Sequence, residues 1–386
     1  MFNPKVILWL LYLIKCKAND EYFKEVPSKN LPLLVENSLF EFVKENTQII
    51  TIKDIARKFK CSPSTVSRAL NDNPVINSET RKTIQEYAEK MGYQRNIISL
   101  SLLNKSSKTI GVILPNINHF HESSMLEGLQ SVFQPLGYLL NICVTNESYD
   151  LEKQYIDRLL ANRVDAIFLS ISQETIDKGH QEHIELAIRR DIPLIYIDRK
   201  FENSSCNAVI VNDYEGAFMA TQHLIEIGCK RIAHLRGPKD LTVSEYRFNG
   251  YRDCLLKYNF PIDESFICTT NFEIESAIEP TKHLLDLAQK PDAIFGVNDH
   301  VCIGAMHVIR QRNIKIPNEI ALVGFDDSPI AEYFCPPLSS VQRQSKEIGL
   351  NASQIFLNYL INDSEKLSSQ NIILSSQLIV RDSSRK

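Results

Sequence analysis

Residues 62–70 read Ser62-Pro63-Ser64-Thr65-Val66-Ser67-Arg68-Ala69-Leu70. The stretch is built as a short helix. Ser62 is a good N-cap, and Pro63 falls at the first helical position, where its missing N–H is not needed. Val66, Ala69 and Leu70 form an apolar face, leaving Ser64, Thr65, Ser67 and Arg68 on polar ones. Upstream, Ile52, Ile55, Ala56 and Phe59 recur at helical spacing, and Lys60-Cys61 makes a tight break before the cap. Downstream, residues 71–74 read as a turn. Asn77 then reads as an N-cap with Glu79 in the first turn, and Ile84, Tyr87, Ala88 and Met91 as a buried stripe ended by Gly92. Helix, short turn, helix and a third helix make an all-α helix-turn-helix domain over residues 49–95.

In such a unit the first residues of the second helix enter the major groove of DNA. Pro63, Ser64 and Arg68 are then placed to meet base edges. The Arg68 fork fits guanine O6 and N7, which is worth about 1–3 kcal/mol of discrimination. Thr65, Ser67 and Asn71 carry short polar groups suited to phosphate oxygens. Charge agrees. Residues 49–108 hold eleven basic and five acidic side chains, a net +6 in a chain of net −4, so the remainder carries −10. A small basic module on an acidic body points to a polyanion partner for the module alone.

From residue 109 the texture changes. Apolar runs at 110–114, 139–144, 166–171, 194–197, 209–211, 231–235, 293–297 and 320–323 alternate with amphipathic stretches. Those lie at 124–136, 151–162, 184–190, 216–227, 246–258, 278–289 and 301–311. This alternation predicts α/β architecture, parallel sheets flanked by helices. About 280 residues exceed one small doubly wound unit, so two lobes are expected. A closed eight-fold barrel is the alternative. No internal repeat is visible.

The 386 residues are 44% apolar and 23% charged, an ordinary globular composition that excludes disordered, collagen-like and coiled-coil chains. No apolar run approaches the roughly 18 residues of a membrane-spanning helix, so no membrane partner is expected. Nine scattered cysteines without a C-x-x-C pair read as reduced thiols of a cytoplasmic protein. Residues 1–48 stand apart. The apolar run at 6–14 has no small-residue cleavage site after it, so the segment reads as an atypical extension or a misplaced start rather than a signal peptide.

Enzyme motifs are missing. There is no G-x-G-x-x-G after a strand, no G-x-x-x-x-G-K-[ST] and no G-x-S-x-G. His180-x-x-His183 lacks a third ligand and reads as a solvated pair, so neither metal nor other cofactor is expected. Asp326-Asp327 would point to opposite faces of a strand, poor geometry for an acid and a base.

The ordered motifs resemble one family. Thr51-Ile52-Lys53-Asp54-Ile55-Ala56, Ser62-x-x-Thr65-Val66-Ser67-Arg68-x-Leu70-Asn71, Thr80-Arg81, Gly92-Tyr93 and Asn96 look like the LacI-type (LacI/GalR) bacterial transcription regulators. So do Asp198-Arg199, Arg247-x-x-Gly250-Tyr251, Asn298-Asp299, Val323-Gly324-Phe325-Asp326-Asp327 and Leu378-x-Val380-Arg381-x-Ser383. The likeness runs from residue 49 to about 384. It implies a two-lobed, type I periplasmic-binding-protein-like body over residues 109–386 that binds a small molecule and dimerises. It also implies a hinge helix and linker over residues 96–108.

The expected DNA-binding set becomes Thr51, Pro63, Ser64, Thr65, Ser67, Arg68, Asn71, Asn77, Thr80, Tyr93, Asn96 and Leu102. Leu102 falls where the family wedges a leucine into the minor groove, an act that unstacks one step and kinks the duplex. The expected effector set is His119, Phe120, His121, Asp198, Asp213, Arg247, Phe272, Asp299 and Asp326. Carboxylates accept paired hydroxyls, an arginine fork donates to ring oxygen and hydroxyl, and an aromatic face covers the C–H side of a pyranose. The implied protein is a repressor-type, non-enzymatic regulator. It would bind a palindromic operator as a homodimer and answer to a sugar or sugar derivative. A sugar-binding protein without regulatory DNA binding is the alternative. The chain departs from the family at three places. Ser99-Leu100 stand where Ala-Arg is usual, His119-Phe120-His121-Glu122 where Asn-Pro-Phe-Phe is usual, and Arg343 where glutamine is usual.

Arg68→Ala is expected to relax base preference, and Asn71→Ala to weaken binding to all sequences alike. Titration of cognate and scrambled duplexes checks both. Equal loss on the two duplexes for the Arg68 variant contradicts base readout.

Overall fold

The computed structural model describes residues 50–93, 106–201, 204–239, 241–361 and 370–385. The chain divides between residues 97 and 98 into two compact units. Asn96, Leu102 and the segment 1–48 lie outside the described residues, as does most of the expected hinge.

Among its described residues the first unit has three helices, α1 (Ile52–Lys58), α2 (Pro63–Leu70) and α3 (Ser78–Lys90). Each begins where the sequence supplies a cap. The Asp54 carboxylate accepts from the Thr51 N–H at 3.0 Å and the Thr51 hydroxyl at 2.6 Å. The Ser62 hydroxyl accepts from Thr65 N–H at 3.1 Å, and the Asn77 side chain accepts from Glu79 N–H at 2.9 Å. Such caps satisfy donors that the first turn leaves without partners. Ile55, Ala56, Val66, Ala69, Ile84 and Ala88 make the core, with Phe59 set edge-on to Tyr87 at 5.3 Å. Met91, expected in the stripe, is 49% exposed. The helix ends at Lys90 and Met91 is its C-cap, so the helical period no longer aims it inward.

The second unit holds two open six-stranded sheets, which excludes the barrel alternative. Its elements, in order, are β1 (Thr109–Leu114), α4 (Phe120–Phe133), β2 (Leu139–Val144), α5 (Tyr149–Ala161), β3 (Ala166–Leu169), α6 (Gln173–Lys178), α7 (Glu182–Arg189), β4 (Leu194–Ile197) and β5 (Asn207–Val211). The chain continues through α8 (Asp213–Glu226), β6 (Ile232–Arg236), α9 (Thr242–Lys257), β7 (Ile267–Thr269), α10 (Ile278–Asp286), β8 (Ala293–Gly296), α11 (Asp299–Gln311) and β9 (Ala321–Asp326). It closes with β10 (Ser339–Gln342), α12 (Ser345–Ile361), β11 (Asn371–Leu374) and β12 (Gln377–Ile379).

The sheets run β11-β5-β4-β3-β1-β2 and β12-β10-β9-β8-β6-β7. All pairings are parallel except β10 with β12. The two lobes thus share one strand order, with the reversal beside β1 in one and β6 in the other. Strands buried on both faces explain the unbroken apolar runs. The chain passes between lobes at residue 212, at 343–344 and at 375–376. Sequence patterning misses β7, β10, β11, β12, the short α6 and the 17-residue α12. Helix α12 belongs to the first lobe, where it packs on α4 through Ile348, Ala352, Ile355 and Phe356.

That packing requires glycine. A Cβ on Gly128 would sit 2.3 Å from the Lys346 carbonyl oxygen, and one on Gly349 2.3 Å from that of Met125. Backbone atoms cannot swing aside as a side chain can. Gly128→Ala and Gly349→Ala should each cost about 1–3 kcal/mol of stability, read by urea unfolding of the variants against the parent.

Candidate functional site

In sheets of this kind ligands bind beyond the carboxyl ends of the strands, near the reversal of strand order. In each lobe the expected effector residues follow those ends. His119, Phe120 and His121 come after β1, Asp198 after β4, Phe272 after β7, Asp299 after β8, and Asp326 ends β9. Asp213 opens α8 just past the first passage between lobes, and Arg247 projects from α9.

The structure draws most of these into one charged cluster. The Arg247 guanidinium is 2% exposed. Its Nε donates to Asp213 Oδ1 at 2.9 Å, Nη1 to the Val297 carbonyl at 2.5 Å and Nη2 to Asp326 Oδ1 at 3.4 Å. It also lies 3.8 Å from the centre of the Phe325 ring, a cation–π distance. Arg343 supplies a second guanidinium. Its Nη2 pairs with Asp198 and reaches Asp213 Oδ2 at 3.4 Å, while Nη1 is 3.8 Å from Asp326. His121 Nε2 stands 3.1 Å from Asp198, and its Nδ1 is 2.6 Å from the Ser345 hydroxyl. Burial raises the Asp198 carboxyl, but Arg343, His121 and Arg199 together hold it well below the ordinary carboxylate range. Asp198 (φ 67°), Phe272 (φ 72°) and Asp326 (φ 99°) all take left-handed backbone, strain of the kind that gathers at functional sites.

Asp299 behaves differently from Asp198. One carboxylate oxygen accepts from the Ser328 N–H at 2.7 Å and the Ser328 hydroxyl at 2.8 Å, the other from the Ser340 hydroxyl at 2.5 Å. Burial, with the like charge of Asp326 beside it, pushes this carboxyl up to about 7. Phe120, expected in the cleft wall, is 38% exposed. His119 reaches across the lobes to Glu273 at 3.9 Å and to the His300 ring at 5.4 Å between centres. Phe272 packs against the core of the second lobe beside Gly237.

Four contributors escape the sequence reading as site residues. Arg343 is noticed only as a departure. Glu122, buried beside His121, has its carboxyl raised by that burial. Ser328 and Ser340 lie 29 and 41 residues from Asp299, too far for any local pattern. His183, read as solvated, is instead buried and 2.9 Å from Glu152, because α7 turns that face onto α5. His180 alone is exposed. Among the described residues no group of three or more His, Cys, Asp or Glu could hold a metal ion. No helix among them is long and apolar enough to cross a membrane.

In the helical unit Pro63, Ser64, Arg68 and Asn71 are exposed along α2, with Thr65 and Ser67 half-buried. Thr51 and Asn77 serve as caps, Thr80 is exposed, and Tyr93 packs half-buried on the core. Sequence reasoning missed what fixes α2. Gln85 Nε2 donates to the Ala69 carbonyl at 3.0 Å and to Asp72 at 2.9 Å, and Arg81 reaches the Asp72 carbonyl at 3.3 Å. Both come from α3, so the end of α2 is held by the helix behind it.

Residues 51–96 match the description "Bacterial regulatory proteins, lacI family", and residues 221–384 match "Periplasmic binding protein-like domain". The "Probable HTH-type transcriptional repressor ExuR" of Bacillus subtilis is 33% identical over 88% of this chain and 99% of its own. The HTH-type transcriptional repressor PurR of Vibrio atlanticus is 32% identical over 80% of this chain and 91% of its own. A lac repressor dimer, solved bound to operator and the anti-inducer ONPF, shares the fold. Its TM-score is 0.76, with 22% identity over 88% of this chain and all of that one.

The Asp299 carboxyl yields a signed expectation. The folded protein keeps a proton there that the unfolded chain gives up near its ordinary 3.8, so stability falls as pH rises from about 4 to about 7. Between about pH 5 and 7 the loss from this group should be on the order of 2 kcal/mol. Urea unfolding across that range, in the parent and in Asp299→Asn, checks it. The slope should shrink in the variant, and an unchanged slope refutes the assignment.

Proposed function

The chain belongs to the lacI family of bacterial regulatory proteins, and from that premise we propose how its two units act. It is a DNA-binding transcriptional regulator of the type its repressor relatives represent. The proposed operator is a palindrome read by a homodimer, with α2 in the major groove of each half-site. Exposed Pro63, Ser64 and Arg68 would meet base edges; Thr65, Ser67, Asn71 and Thr80 would face phosphates. Thr51, Asn77 and Tyr93 would act by setting the helix ends and the core beneath them. Asn96 and Leu102 belong to the proposed hinge over residues 96–108, and Leu102 to the minor-groove wedge. Residues 109–386 would form the effector and dimer domain.

The observation that carries the effector half is the pairing pattern at the strand ends. His121 and Asp198 from one lobe, and Asp213, Arg247 and Asp326 from the other side of the passage, converge through Arg343 on one interlobe region, with Asp299 beside Asp326. Carboxylates and a guanidinium fork there suit a hydroxyl-rich ligand, with Phe272 covering its apolar side and His119 and Phe120 at the rim. Sugar or sugar derivative is the class we favour. Binding would shift the lobes, change how paired hinges meet, and so alter operator affinity; operator would alter ligand affinity by the same factor. No step here is catalytic, and the site of action is the cytoplasm, where operator DNA lies.

Selection from random-sequence duplexes, followed by anisotropy titration with a panel of sugars, sugar acids and nucleobases, tests both halves. Enrichment of a palindrome whose affinity shifts at least severalfold with one sugar is the expected result, with affinity falling steeply as salt rises. Normal ligand binding with no enriched sequence would favour a ligand-binding protein without regulatory DNA binding.

A further inference from the structure

Arg343 stands on the second passage between the lobes, and its contacts run both ways. One nitrogen pairs with Asp198 of the first lobe and reaches Asp213 at 3.4 Å; another lies 3.8 Å from Asp326 of the second lobe. The side chain is 5% exposed, Asp198 11% and Asp213 9%. Surface ion pairs contribute little, but removing one partner of a buried set strands an uncompensated charge. Opening the lobes would pull Asp198 away from a guanidinium still fixed to the second lobe. We propose that Arg343 is an internal tie between the lobes, so that their closed arrangement is held by the chain's own ion pairs and the effector works on a body already drawn together. This rests on reading the interlobe region as the effector site. Arg343 acts here as a positioning residue, through Asp198 and Asp213.

The structure also supplies the reporter. The Thr242 N–H opens α9, where no intrahelical acceptor exists for it. It donates instead across the lobes to Gln173 Oε1 at 3.0 Å, and the Thr242 hydroxyl adds a second bond to the same oxygen at 3.2 Å. Exchange at this amide therefore follows lobe separation and not helix stability.

The test is hydrogen exchange on the full chain, read by mass spectrometry with fragmentation to single amides and without DNA or ligand. Gln173→Ala sets the rate for an uncovered Thr242 amide. In Arg343→Gln, and in Asp198→Asn, exchange at Thr242 should accelerate on the order of tenfold or more. Amides of Ile167 in β3 and Ile294 in β8 should stay protected. Arg343→Lys, which keeps the charge but not the fork, should fall between parent and Arg343→Gln. An unchanged Thr242 rate in both Arg343→Gln and Asp198→Asn overturns the proposal. So does loss of core protection in both, which would make the pair an element of folding instead of a tie. Because no sugar or operator is present, such a failure leaves the proposed function standing. Failure of every ligand in the panel would overturn the effector reading, whatever Thr242 does.

Discussion

Two guanidinium groups buried among three carboxylates constrain the body of this protein more than any single apolar contact. Arg247 and Arg343 cannot leave water without partners, and neither can Asp198, Asp213 and Asp326. The partners come from five places far apart in sequence: the end of β4, the start of α8, the first half of α9, the end of β9 and the passage after β10. Keeping the charges paired fixes where each strand end and each passage must lie. The apolar cores on both faces of the sheets supply the driving force for folding. The ion pairs decide which arrangement of the two lobes leaves no charge stranded.

The helical unit is the part most fully written in local sequence. Its caps sit within three residues of the amides they serve, and its core follows a helical period, so Ser62, Asn77, Ile55, Val66 and Ile84 can be read directly. Met91 misleads only because the period outlives the helix by one residue. The body is legible as alternating elements, but its short strands are not. β7 has three residues, and β10 begins with two serines whose burial depends on partners elsewhere. Helix α12 escapes because its glycine, serines and asparagines break the apolar stripe. Gly349 is what lets it approach α4 so closely.

The site is legible in a different way. His119, Asp198, Arg247 and Asp299 were reached through likeness to a family, not through spacing. Their partners come from chain passages that no periodicity marks. Arg343 illustrates the limit. In sequence it is one substituted position; in space it touches three carboxylates. Asp299 shows the converse. It was expected to await a ligand, and both its oxygens are engaged by Ser328 and Ser340. Two lobes with the same strand order and no visible sequence repeat make a related point. Topology constrains hydrogen bonding and handedness, and leaves side chains free to differ.

Elements near the end of the chain complete its first lobe. Strand β11 pairs with β5, and α12 covers the sheet against α4, although all of the second lobe before β12 is made between β5 and α12. During synthesis the lobe begun first therefore stays unfinished until all of the second lobe except β12 and the residues after it has been made. Until residues 345–374 emerge from the ribosome, β5 presents an open, strongly apolar edge and α4 an uncovered face, the features that invite association with other chains. That half-built sheet keeps its open edge while residues 212–374 are made. A truncation ahead of residue 345 would therefore injure the beginning of the body as well as its end.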